Sequence, residues 1–127
     1  MKIIFNIDYR IKYHTPMKDN KTRVIKDFDK LSPEIQEQIK LVYPYGFSQH
    51  LIRFTNKEGK FVSALPFETD EIYYLVRMTS EKAEEIISED DDYDDNGHLK
   101  DDARDDYEDK YSDLDYLSDN IGEEEDF

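Results

Sequence analysis

The chain predicts an α+β domain built on a small, mainly antiparallel sheet of about five strands. Three observations carry that expectation: an eleven-residue alternation near the N-terminus, a capped helical pattern beginning at Ser32, and three closely spaced strand-like runs between 50 and 78. The order β-β-α-β-β-β-α groups strands together instead of alternating them with helices, which is the α+β arrangement with helices on one face of the sheet.

The alternation over 3–13 places Ile3, Phe5, Ile7, Tyr9, Ile11 and Tyr13 on one face, with Lys2, Ile4, Asn6, Asp8, Arg10 and Lys12 on the other. A period of two with one apolar face is the mark of a half-buried strand in an antiparallel sheet. Pro16 and the polar residues after it read as a loop, so residues 21–26 are expected to pair back as the second arm of a hairpin. In LSPEIQEQIKLVYPYG, Ser32 is placed to cap a helix and Pro33 to occupy its first position, while Glu34 suits the positive end of the dipole. Leu31, Ile35, Ile39 and Val42 form its apolar stripe, and Pro44 and Gly46 end it. Strands are expected over 50–55, 60–67 and 71–78, the first two joined by the turn NKEGK. A second helix starts at Ser80, with Ala83, Ile86 and Ile87 turned inward.

Charge divides the chain. Residues 1–87 hold 14 Lys and Arg against 13 Asp and Glu, whereas 88–127 hold 3 against 19, so the second part carries the whole net charge of −15 and one unit more. This predicts an α+β head over 1–87 and an acidic, partly helical or disordered tail over 88–127, with an amphipathic helix candidate at 100–121. Cysteine is absent, which excludes disulfides and thiolate metal sites. No apolar run is long enough to cross a membrane, and the N-terminal stretch lacks a secretory pattern. The chain is therefore expected to be cytoplasmic, and its anionic tail would be repelled by anionic headgroups.

Little in the sequence suggests catalysis or a cofactor. His14, His50 and His98 are widely separated, no glycine-rich phosphate loop or nucleophile elbow is present, and the carboxylates of the tail are too solvated to be tuned as acid and base. The expectation is a non-enzymatic protein with no cofactor. The segment Asp92-Tyr93-Asp94-Asp95-Asn96-Gly97 resembles the first half of an EF-hand calcium loop. The resemblance stops at Lys100 and Ala103, where that loop needs its later ligands, so no metal is expected, Asp92, Asp94 and Asn96 are weak candidate ligands only, and a weak calcium-binding module is a further alternative function.

The tail carries a pattern that a solubilising segment does not need. Ala103, Tyr107, Tyr111, Leu114, Leu117 and Ile121 recur at steps of three and four, so a helix would align them in one stripe. Such a stripe docks either on the chain's own head or on a partner. Tyr107, Tyr111, Leu114 and Leu117, with Asp105, Asp106, Asp109 and Asp113 as charges, are the candidate partner-binding residues. On a helix, carboxylates at this density lie roughly 3 Å apart along the axis, close to the ~3.4 Å rise between phosphates of one DNA strand. In charge and size the protein resembles DNA-mimic inhibitors, which implies a basic, nucleic-acid-binding protein as partner. The final IGEEEDF resembles the acidic, aromatic-tipped C-terminus of bacterial and phage single-stranded-DNA-binding proteins. That resemblance implies Phe127 as an anchor and acidic residues 123–126 as steering charges. The alternative expectation is then a single-stranded nucleic-acid-binding accessory protein, with Tyr9, Tyr13, Tyr43 and Tyr45 as stacking surfaces and the acidic tip as a recruiting or autoinhibitory element.

Overall fold

Strand β1 (Thr22–Asp27) opens the described part of the chain, residues 21–117 of a computed structural model. The strand expected over 3–13 and the terminal IGEEEDF lie outside the described residues. After a single 3-10 turn, Ser32 accepts a hydrogen bond from the Ile35 N–H at 3.3 Å and starts α1 (Pro33–Val42) with proline in its first turn. A capping oxygen satisfies one of the donors that a helix start leaves open, so this boundary is written locally. Strands β2 (Ile52–Thr55) and β3 (Phe61–Glu68) form a hairpin. Within its turn the Asn56 side chain accepts from the N–H groups of Glu58 and Lys60 at 2.9 and 3.0 Å, and Gly59 adopts φ +83°. Strand β4 (Ile72–Arg77), helix α2 (Ser80–Glu89) and helix α3 (Asp101–Lys110) complete the regular elements, and the chain is helical again at 115–117.

The sheet has four strands among the described residues, in the order β1-β4-β3-β2. It is mixed. β2–β3 and β3–β4 are antiparallel, but β1 lies parallel to β4, with Val24 opposite Tyr74 and Ile25 opposite Leu75. Among the described residues, the segment expected as a hairpin arm therefore finds its partner fifty residues downstream. Parallel neighbours need a long crossover, and here α1 and the β2–β3 hairpin supply it. Pro66 sits where β3 has outrun β2, whose pairing stops at Ala64. Its missing N–H costs no ladder bond there, and its carbonyl accepts the Tyr43 hydroxyl at 2.6 Å.

The two faces of the sheet bury different sets. Leu65, Phe67 and Val76 join Ile39 and Val42 of α1 and Ala83 and Ile87 of α2 in the main core. Ala64, Leu75, Tyr73, Ile52 and Phe54 form a second cluster on the opposite face, made of strand residues alone. The helices that contribute to a core thus lie on one side of the sheet, as an α+β layer requires.

The main core does not stop at residue 87. Tyr93, Leu99, Tyr111 and Leu117 are all buried in it. The expected separation of a head over 1–87 from a tail starting at 88 is therefore not a separation of packing through residue 117. The physical reason is the apolar stripe: about 25 cal/mol for each Å² of apolar surface removed from water favours docking it on the nearest core. The helix expected over 100–121 is also interrupted after Lys110 by a turn. There Leu114 N–H bonds to the Tyr111 carbonyl and Leu117 N–H to the Leu114 carbonyl, at 3.1 and 3.2 Å.

Candidate functional site

The acidic segment from 88 to 117 has an inner side and an outer side, and each is built by a different set of residues. The inner side rests on α1. Lys40, only 8% exposed, points from α1 into the segment and pairs with Asp90 at 2.7 Å and Asp92 at 2.9 Å. The Tyr107 hydroxyl donates to the same Asp92 carboxylate at 2.7 Å. One turn earlier on α1, Glu37 accepts the Tyr111 hydroxyl at 2.6 Å and the Lys110 ammonium at 2.9 Å. Beside it, Gln38 accepts the Tyr116 hydroxyl at 2.8 Å. Three tyrosines of the acidic segment thus place their rings against the core and their hydroxyls on α1 or on the partner of Lys40.

The charges respond to this arrangement. Burial works against the charge on Lys40, but the hydrogen bonds to Asp90 and Asp92 outweigh it and raise the ammonium above its usual value. Burial likewise opposes the Asp92 carboxylate, yet the Tyr107 hydroxyl and Lys40 hold it below the ordinary range. Glu37 follows the same pattern, burial being outweighed by Tyr111 and Lys110. Burial first and then the bond to Glu37 push the Tyr111 hydroxyl up to about 12. Tyr93 and Tyr107 are raised further, chiefly by burial. At neutral pH the network is two carboxylates on one lysine, a third carboxylate on another, and protonated phenols bridging them.

The loop that resembles half a calcium site is a structural turn. Tyr93 and Leu99 form a bridge across it, and Gly97 takes φ +81° at its tip. The Asp94 carboxylate accepts from the N–H groups of Asn96 and His98 at 2.9 and 3.0 Å. The bond from the His98 N–H is the main reason its carboxyl is held below the ordinary range. Asp92 faces away toward Lys40. Asp92, Asp94 and Asn96 are therefore not gathered around a common point, and no group of three or more metal-ligating acidic or histidine side chains forms among the described residues.

The outer side is carboxylate. Fourteen Asp and Glu lie between 88 and 117, and the only two that are not exposed are Asp90 and Asp92, the pair that grips Lys40. Asp105, Asp106, Asp109 and Asp113 are all exposed. On α3, six carboxylates occupy ten residues, or about one for every 2.5 Å of helix axis. Its two cations are engaged at home, Arg104 with Glu108 at 3.6 Å and Lys110 with Glu37. Thus the aspartates expected at a partner surface face solvent, whereas Tyr107, Tyr111, Leu114 and Leu117, expected beside them, are turned into the core. Phe127 lies outside the described residues.

Among the proposed stacking tyrosines, Tyr43 is taken up by Pro66 and by its ring contact with His50, and the exposed Tyr45 meets the His98 ring edge-on at 5.1 Å. Tyr9 and Tyr13 lie outside the described residues. No sequence motif marks Glu37, Gln38 and Lys40 as anchors. A signal for them existed: a stripe of tyrosines carries hydroxyls that need partners once buried, and polar positions flanking the α1 stripe were the nearest supply. No protein-family model, curated protein or solved structure matches the chain. No helix among the described residues is long and apolar enough to cross a membrane.

Proposed function

We propose that this is a non-enzymatic binding protein that presents the outer side of its acidic segment to a basic surface of another macromolecule. The most concrete form is a DNA mimic that inhibits or regulates a nucleic-acid-binding protein by occupying its basic groove. The observation that carries this reading is the sorting of the fourteen carboxylates. Two are spent on Lys40, the remaining twelve are exposed, and the apolar side chains between them face inward. Fixing that many like charges costs self-repulsion. The docking of α3 on α1 bears that cost and holds the charges in one geometry, and geometry is what a mimic of a regular polyanion needs. Complementary potential then steers encounter with a cationic surface.

The test is affinity capture of partners from cell lysate with the full chain and with the D105N/D106N/D109N/D113N variant, whose circular dichroism should match the parent. The proposal expects the variant to lose a basic protein that the parent retains, and expects nucleic acid to compete with the parent for it. Equal recovery by both forms would refute it.

A further inference from the structure

An open groove of about 780 Å³ runs between the turn after β1, the start of β3, the end of β4 and the side of α2 that carries Lys82, Ile86 and Glu89. Its floor is apolar, from Phe28, Met78 and Ile86. On its wall stands Phe61, the first residue of β3 after the hairpin turn, which is 75% exposed. One partner already uses this ring: the Arg53 guanidinium lies 5.5 Å from its centroid.

The groove's charges are mostly accounted for internally. Arg77 bonds Asp27 at 2.9 Å, Lys82 lies 3.8 Å from Glu85, and Asp90 holds Lys40. Asp29 and Glu89, both exposed, are the lining carboxylates that remain without an ion pair among the described residues. An aromatic wall, an aliphatic floor and a residual negative rim together match one kind of side chain: a long apolar stem ending in a planar cation. A phosphate chain would meet Asp29 and Glu89 instead.

We propose that the groove receives an arginine side chain from the basic partner, its guanidinium stacked on the Phe61 ring and hydrogen-bonded by Asp29 or Glu89. This inference rests on the reading of the protein as a ligand for a basic partner and adds to it a point of specificity. The acidic outer side of α3 attracts cations without distinguishing them, whereas a stacked and hydrogen-bonded planar cation distinguishes arginine from lysine.

The experiment titrates hexa-arginine, hexalysine and hexacitrulline into the full chain, following the Phe61 ring by NMR and affinity by calorimetry. Hexa-arginine should shift the Phe61 resonances and bind more tightly than hexalysine, and hexacitrulline should do neither. F61A should weaken hexa-arginine roughly fivefold and remove its advantage over hexalysine. The D29N/E89Q variant should do the same while leaving the ring shift partly in place. Phe61 is exposed, so F61A is expected to keep the parent's circular dichroism. Unchanged affinity in F61A with no ring shift would overturn the groove proposal. In that case, loss of binding in D105N/D106N/D109N/D113N leaves the acidic-surface reading standing, and indifference of both variants removes both. An oligothymidylate that shifts Phe61 where hexa-arginine does not would also overturn it, by making the ring a base-stacking site.

Discussion

Helices α2 and α3 are each ten residues long and follow one another in the chain, yet different forces hold them. In α2 the Thr79 side chain caps the Lys82 N–H at 3.0 Å, and Ala83 and Ile87 are buried in the core. In α3 no side chain caps the start and no residue is fully buried. Its ends suit the dipole, with Asp101 and Asp102 in the first turn and Lys110 in the last. Aspartate is nonetheless a poor helix former, and like charges along one helix repel. What secures α3 is the half-buried faces of Ala103 and Tyr107 together with the polar ties to Glu37 and Asp92. One helix is specified by its own sequence; the other is ordered by what it touches.

The sharpest way to break this contrast is to attack each anchor in turn. Ile87→Ala should cost about 3 kcal/mol through the transfer and cavity terms and lower the urea midpoint of the whole chain, because the residue belongs to the shared core. Lys40→Met should cost about 2 kcal/mol, since removing one member of a shielded ion pair leaves its partners uncompensated, while Asp90 and Asp92 regain some solvation. Its signature differs from that of Ile87→Ala: hydrogen exchange should accelerate in α3 before it does in β3 and β4. Tyr107→Phe removes one hydrogen bond to a carboxylate and should cost about 1 kcal/mol, again read as faster exchange in α3, with α2 unaffected.

pH separates the two helices by sign. Glu37 and Asp92 are held below their ordinary values of 4.5 and 3.8, so their contribution is complete above those values and is lost as pH falls through the lowered ones. Lys40 is raised above 10.5, and Tyr111 is pushed up to about 12 from 10.0. Their contribution is complete below the ordinary values and is lost as pH climbs past them. Protection of α3 should therefore hold across neutral pH and fall on both the acid and the alkaline side, while the local cap and apolar packing of α2 follow only global unfolding. The smallest effect is that of salt. Screening the repulsion among exposed carboxylates should raise Tm by a few degrees between about 0.05 and 0.5 M NaCl, and by less in D105N/D106N/D109N/D113N.

The same contrast explains what could be read in advance. α1 was legible because Ser32 and Pro33 write its start into the chain. The β2–β3 hairpin was legible because its turn carries Asn56 and Gly59. The tail stripe was legible as a period, and every member from Ala103 to Leu117 does pack on the core. Even its change from steps of four to steps of three coincides with the passage from α3 to the turn at 111–114. Which surface the stripe would meet was not legible, because a period states that a face is apolar and says nothing of what covers it. The parallel pairing of β1 with β4 escaped for a related reason: strand partners are chosen across fifty residues, with no local residue to record the choice. The role of Lys40 was not legible either, since its carboxylate partners lie fifty and fifty-two positions away.

That lysine has a practical consequence for anyone dissecting the molecule. A chain cut after Glu89 would keep every strand of the described sheet, yet it would leave the Lys40 ammonium without its two carboxylates and bare the side of Phe47 that meets Tyr93. Such a fragment should come out of expression as aggregate, while one ending beyond Leu117 should stay in solution. The acidic segment over 88–117 is then what keeps one side of the apolar core out of water.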